Sequence, residues 1–361
     1  MSQQRKHKIL FVAPYPFNKA PSQRLKYEQY YDYFREAGFD ITTSSFIDDD
    51  FWKVVYKHGF ILKKILFTLK GYLRRIRDLI FIRKYDVVYI HLWVTPLGLP
   101  LYEWLFCLFA KKVVYDIDDL IFLGHSSSAN KKSEWLKGKA KAIYLMKNAH
   151  HVITCTPKLD DFVRQYNQNT TDISSTINTT VYQPKDNHTI HKLVIGWSGS
   201  HSTARFVYLL TEVFLELKKE IDFTLLVIGD AEFKMEGIDV KAIAWKADTE
   251  VEDLSQMDIG IYPLPDEPWV YGKSGLKALQ YMALGIPTIA TAIGANFRII
   301  NSGQNGFLAN SKEEWIAAFR QLLLNQQLRE SIGKAARKTV VEQFSLEANK
   351  ETYLKILRTL T

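Results

Sequence analysis

Cysteine is nearly absent from this chain: Cys107 and Cys155 are the only two among 361 residues. With no CxxC and no Cys/His ligand spacing, neither a disulfide framework nor a structural zinc is expected, and a reducing compartment is. A signal-peptide pattern is lacking too, because "MSQQRKHKILFVAP" moves from a polar leader straight into a strand. The three Asn-x-Ser/Thr matches at Asn169, Asn178 and Asn187 are therefore expected to carry no glycan. Short-period repeats and low-complexity tracts are missing as well.

What is present is an ordinary soluble composition, 47% hydrophobic and 24% charged, in a chain long enough for two domains. The net charge of +8 is local. Between Lys53 and Lys84 stand ten Lys/Arg and one acid, Asp78, so the remainder is close to neutral.

Apolar runs such as "HKILFVAPYP", "YDVVYIHL", "KKVVYDIDDL" and "HHVITCTP" read as buried parallel strands separated by helical stretches, one of them over "SQRLKYEQYYDYFREAGF". A polar stretch at 183–192, "QPKDNHTIHK", is the candidate linker. Strand–helix alternation then restarts with "KLVIGWSGS", "FTLLVIGD", "VKAIAW", "MDIGIYPL" and "TIATAI". The expectation is α/β: two doubly wound units, 1–185 and 186–344, facing a central cleft, with a terminal helix over 345–361 packing back on the first.

Three features of the second half converge on an anion-binding site. "IGWSGSHSTARF" sets Ser198, Gly199, Ser200 and Thr203 between a strand and a helix, with Arg205 close behind. "YPLPDEPWVYGKSG" is a long loop bearing Asp266 and Glu267. "GKSGLKALQYMALGIPTIAT" places Lys273, Ser274, Gly275 and Leu276 at a helix start, with Lys277 one turn on. Two helix starts and a lysine suit a diphosphate. Helix capping and solvated lysines are the plainer reading of each motif alone.

These motifs, with "NGFLANSKEEWIAAFRQLL", resemble the donor domain of bacterial family-four, GT-B-fold glycosyltransferases over residues 193–350, and the first half more loosely through "VVYDIDDL". The resemblance implies two Rossmann-like domains and a sugar moved from a nucleotide-diphosphate sugar, with retention of configuration and no bound metal. The family's paired glutamates fall on Gly272 and Gln280. Gln280 is expected to hold the ribose, while Gly272 cannot touch the donor sugar, leaving that part to Asp266 or Glu267.

In the first half the same resemblance makes His91, at the end of "YDVVYIHL", a sugar contact. Asp116, Asp118 and Asp119 in "YDIDDL" are expected at a strand end, Asp118 and Asp119 with base-like roles and Asp116 in acceptor binding; helix capping is the alternative. Ser22 and Arg24 open the helix after the first loop and are further acceptor candidates.

The basic segment 51–84 carries Phe60, Ile61, Ile65, Leu66, Leu69, Leu73, Ile76, Leu79 and Ile80 at helical spacing among its cations. No run there reaches the ~20 uncharged residues of a membrane span. An interfacial helix on an anionic membrane surface is expected; a core helix with a solvated charged face is the alternative. Nucleic acid is not, since no binding motif accompanies the charge. The whole reads as a cytoplasmic glycosyltransferase peripheral to the inner face of the cell membrane, acting on a lipid-linked glycan acceptor in surface-polysaccharide or glycoprotein-glycan assembly. An inactive glycosyltransferase-like scaffold and a nucleotide-sugar epimerase are the rival readings.

Overall fold

A computed structural model of the chain describes residues 6–118, 139–184 and 192–361. It divides into two compact units, residues 1–175 with 349–361, and residues 176–348.

The first unit holds six strands: β1 (His7–Ala13), β2 (Phe39–Ser45), β3 (Val87–His91), β4 (Val113–Asp116), β5 (His151–Thr154) and β6 (Thr170–Asp172). They form one sheet in the order β2-β1-β3-β4-β5-β6, with every pairing parallel. The runs Ile9–Val12 and Val87–Ile90 are buried throughout, as strands covered on both faces must be.

The stretch read as one helix after β1 is broken into Pro21–Arg24, a 3-10 turn Glu28–Tyr30, and Tyr31–Glu36. Lys26 lies in the gap, wholly buried and ion-paired with Asp116. The basic segment likewise folds as two helices, Asp49–Val55 and Ile61–Phe81, separated at Gly59 and Phe60, both in left-handed backbone conformation. Asp48 caps the first of them by accepting from the Phe51 N–H at 2.9 Å.

Arg75, on the longer helix, has no exposed surface. Its guanidinium donates to the carbonyls of Ala13, Ser44 and Val94 at 2.8, 3.0 and 2.8 Å, to Ser44 Oγ at 2.9 Å and to Asp78 at 3.1 Å. One side chain thus ties together the carboxyl ends of β1 and β2 and the loop after β3. Burial pulls it down to about 10 against the attraction of Asp78.

The second unit repeats the plan with β7 (Leu193–Ser198), β8 (Phe223–Ile228), β9 (Val240–Ile243), β10 (Ile259–Tyr262), β11 (Thr288–Thr291) and β12 (Phe307–Ala309), in the order β12-β11-β10-β7-β8-β9 and all parallel. Trp197, Phe214, Phe223, Phe319 and Leu322 are buried on one side of the sheet. Tyr281, Met282, Met257 and Ile228 are buried on the other. The final helix, Leu346–Leu360, runs from the second unit into the first; there Tyr353 is buried with its ring 4.6 Å from that of Tyr30.

Candidate functional site

In the second unit the chain runs from β7 outward through β8 and β9, then returns to pair β10 on the other side of β7. Sheets of this kind offer a crevice at the carboxyl ends of the two strands flanking such a reversal. β7 ends at Trp197 and Ser198, and β10 at Tyr262. Lys277 sits over both ends, its Nζ 5.7 Å from the Trp197 ring and 5.5 Å from the Tyr262 ring.

Two glycines make that seat. A Cβ on Gly199 would lie 2.5 Å from the Trp197 ring and 2.9 Å from Lys277 Cε. A Cβ on Gly229, which follows β8 with φ +116°, would lie 1.7 Å from the Gly199 carbonyl oxygen. Gly275, with φ +74°, starts the helix Leu276–Ala283 against Ile299. The first N–H groups of that helix have no intrahelical acceptor. Lys273, in the preceding loop, holds its Nζ 5.4 Å from the Trp269 ring.

Lys277 is half-buried, and burial, then the neighbouring Lys273, pulls its ammonium down to about 8 from the ordinary 10.5. Among the described residues it has no ion-pair partner. A desolvated cation beside open helix N–H groups is a receptor for an anion.

The other residues singled out in the sequence fall into place around it. Ser198 is committed internally: its N–H donates to the Tyr281 hydroxyl at 2.8 Å, and the two hydroxyls lie 2.9 Å apart. The Gly199 N–H likewise donates to the Ile228 carbonyl at 2.9 Å. Ser200 and Thr203 form a capping box on the short helix His201–Ala204. Arg205 is exposed, stacked over Phe206 at 5.1 Å. Glu267 accepts from the Trp269 indole N–H, and Asp266 from the Tyr271 hydroxyl at 3.4 Å. Both acids therefore brace the loop that precedes Lys273 and Ser274.

Gln280 is buried, and its Nε2 donates to the Tyr182 hydroxyl at 2.8 Å and to Glu250 Oε1 at 3.3 Å. Glu250 also accepts from Tyr182 at 2.8 Å and from the Trp245 indole at 3.0 Å. Sequence reading missed Glu250, Tyr182 and Trp245, since nothing in the local pattern links residues so far apart in the chain. Gly229 was missed as well, although a lone glycine after "LLVI" is a signal for close backbone approach.

In the first unit the candidate residues are drawn inward. His91 and Asp116, both at strand ends as expected, have no exposed surface. Asp116 pairs with Lys26, accepts from the Tyr89 hydroxyl at 2.5 Å and lies 3.7 Å from His91 Nδ1. Against the upward pull of burial, Lys26 and His91 hold the Asp116 carboxyl below its ordinary range. The physical reason for the inward turn is Lys26, a buried cation that needs a buried partner. The Asp118 carbonyl accepts from the Cys155 thiol at 2.9 Å, and Asp119 lies outside the described residues. Ser22 and Arg24 flank Gln23, which is buried and bonded to the Tyr15 backbone at 2.9 and 3.1 Å, so both stay half-exposed at the helix start. Among the described residues no cluster of His, Cys, Asp and Glu is arranged to hold a metal ion.

Two units, each built on an all-parallel six-stranded sheet with helices between its strands, match the GT-B architecture of glycosyltransferases. Residues 192–325 match the family described as glycosyl transferases group 1. The chain is 29% identical over 149 residues to the N-acetyl-alpha-D-glucosaminyl L-malate synthase of Bacillus anthracis, a match covering 38% of this chain and 38% of that relative. Sucrose-phosphate synthase from Thermosynechococcus elongatus superposes over 99% of both chains at 15% identity with a TM-score of 0.72. A glycosyltransferase from Rickettsia africae does so over 99% of both at 17% identity and 0.70. Anabaena HepE, solved with UDP and glucose, is similar over 98% of this chain and 100% of that one, at 16% identity and 0.68.

Proposed function

We propose that this protein is a retaining glycosyltransferase that moves a sugar from a nucleotide-diphosphate sugar to a lipid-linked saccharide, in surface-polysaccharide or glycoprotein-glycan assembly at the inner face of the cell membrane. The observation that carries the nucleotide part is Lys277, a half-buried ammonium over the carboxyl ends of β7 and β10 with no ion-pair partner among the described residues. The group 1 match over this unit supports the same reading.

In the reaction the acceptor hydroxyl attacks the anomeric carbon on the face the leaving group departs from. The bond from that carbon to the diphosphate oxygen breaks with its electron pair, and the departing diphosphate takes the hydroxyl proton. Lys277, Lys273 and the N–H groups at Leu276–Ala278 stabilise the negative charge that grows on the diphosphate. Gln280, with Nε2 occupied by Tyr182 and Glu250, presents Oε1 to accept from a ribose hydroxyl.

A thermal-shift panel of nucleoside diphosphates and nucleotide sugars tests this, with UDP and its glucose and N-acetylglucosamine derivatives first because of the relatives above. A ligand at 100 times its dissociation constant should stabilise the second unit by about 2.7 kcal/mol. No shift with any of them would favour a scaffold that has lost turnover, with Gly272 its cause. Lys273→Ala is expected to weaken nucleoside-diphosphate binding about tenfold; unchanged affinity in calorimetry would remove Lys273 from the phosphate role.

The depressed Lys277 also sets a pH dependence. In the free protein this ammonium gives up its proton near pH 8, well below 10.5. A bound diphosphate restores the charge, so binding above pH 8 takes up a proton and affinity falls as pH rises. Affinity should be about tenfold or more weaker at pH 9.5 than at pH 7, at constant ionic strength. A flat profile between those values would mean that Lys277 does not meet the phosphates. The stability term has its own sign: the charged side chain is disfavoured in the fold below pH 8, so its contribution improves as pH rises from 8 toward 10.5.

A further inference from the structure

The helix Ile61–Phe81 is mounted inside out. An ordinary surface helix turns its apolar stripe inward and its polar side to water. Here the side facing the fold carries Gly71, Arg75 and Asp78, all buried, with Phe67 and Tyr72 as its apolar contacts to Phe51 and Phe46. Gly71 has no side chain because a Cβ there would lie 2.7 Å from the Phe46 ring. Arg75 and Asp78 are consumed by the buried network with Ser44.

The opposite side shows Leu62, Leu66, Leu69, Leu73, Ile76 and Ile80, a stripe at three- and four-residue spacing. Leu62 is 76% exposed, Leu73 65% and Ile80 70%. The neighbouring helix Leu101–Phe109 adds Leu101, Trp104 and Leu108, again exposed and on one face. The two helices touch through Tyr72 and Tyr102, whose rings are 5.5 Å apart, and the Tyr72 hydroxyl donates to the Leu97 carbonyl at 3.0 Å. A set of large side chains on this scale, left in water, marks a surface that something covers.

We propose that this two-helix face docks on an anionic lipid bilayer, lying in the interface with the stripe Leu62–Ile80 turned into the acyl region. The charge identifies the occupant. Lys63 near one end of the stripe, and Arg83 and Lys84 just past the other, have no ion-pair partner among the described residues. Over 48–84, ten Lys/Arg stand against Asp48, Asp49, Asp50 and Asp78, an excess of six positive charges. A second copy seated on this face about a two-fold axis would set that excess against itself. An anionic leaflet neutralises it, at a gain of about 1 kcal/mol per basic residue near the surface. No helix among the described residues is long and apolar enough to cross a membrane, so the helix lies on the bilayer rather than through it. This names the surface behind the membrane part of the proposed function, and its test reads separately from nucleotide binding.

The test is flotation of the whole protein with vesicles of phosphatidylcholine containing about 30% phosphatidylglycerol, beside pure phosphatidylcholine, at low salt and at about 0.5 M salt. The wild type should float with the anionic vesicles and release at high salt. The exposed double variant L69D/L73D, and separately K63E/K84E, should each bind at least about tenfold more weakly. Retained far-ultraviolet circular dichroism and an unchanged melting temperature confirm that both variants are folded. Failure of the wild type to float, or flotation of L69D/L73D at the wild-type level, overturns the proposal. A wild-type dimer that L69D/L73D converts to monomer, with no vesicle binding, assigns the face to a second copy instead. Flotation without any nucleotide-induced thermal shift would leave this face standing and remove the glycosyltransferase reading; a shift without flotation would do the reverse.

Discussion

Arg75→Met should lower the melting temperature of the first unit by about 10 °C. The substitution keeps an unbranched, largely apolar stem, shorter by two atoms, and removes every donor. Three backbone carbonyls at the carboxyl ends of β1, β2 and the post-β3 loop lose their shared partner, and Asp78 is left buried beside Ser44 with only Arg77 as counter-ion. Removing one member of a buried ion pair costs about 3–5 kcal/mol. In a unit of this size each kcal/mol moves the midpoint by about 2–4 °C. Scanning calorimetry with and without a nucleoside diphosphate separates the units, since the ligand shifts only the second. A drop below about 2 °C would show that the network is dispensable. Arg75→Lys should fall nearly as far, because one ammonium cannot span the acceptors that the planar guanidinium reaches.

Gly229→Ala should collapse the anion seat in the second unit. The new methyl meets the Gly199 carbonyl oxygen at 1.7 Å, a backbone atom that cannot rotate aside, and the residue must hold φ at +116°. Strain at such a dihedral costs about 1–3 kcal/mol, and overpacking a similar amount again. The turn after β7 must move, carrying Gly199 away from Trp197 and Lys277. Nucleoside-diphosphate affinity is expected to fall more than tenfold, along with a melting point reduced by several degrees. Wild-type affinity in titration calorimetry would place the phosphates elsewhere. Both outcomes can be read on one preparation.

Much of the strand framework was legible in the chain itself. Continuous runs such as "ILFV", "VVYI" and "TLLVI" are what a strand covered on both faces requires, and β1, β3 and β8 lie on them. The edge strands β6 and β12, of three residues each, were not legible, because so short a run carries no period. The loop and helix start around Lys273, Gly275 and Lys277 could be read from glycine and lysine placement alone. Its partners Gly229, Tyr182 and Glu250 were not read, being brought in from distant parts of the chain. The helix 61–81 was legible as amphipathic, yet periodicity reports only that two faces differ. Which face turns inward was decided by Arg75, Asp78 and the Phe46 ring, contacts far apart in sequence. The burial of His91 and Asp116 was illegible for a related reason: nothing local announces that Lys26 pairs with Asp116 inside the fold.

The last helix, Leu346–Leu360, has a consequence for how the protein is made. Its residues from Asn349 onward complete the first unit, while residues 176–348 intervene as the second. On the ribosome the second unit therefore emerges in full before the first has its final piece. Until Tyr353 arrives, the aromatic surface around Tyr30 and Phe34 has no cover from that helix. The order of completion is then the reverse of the order of synthesis: the half that is translated first is the last to close.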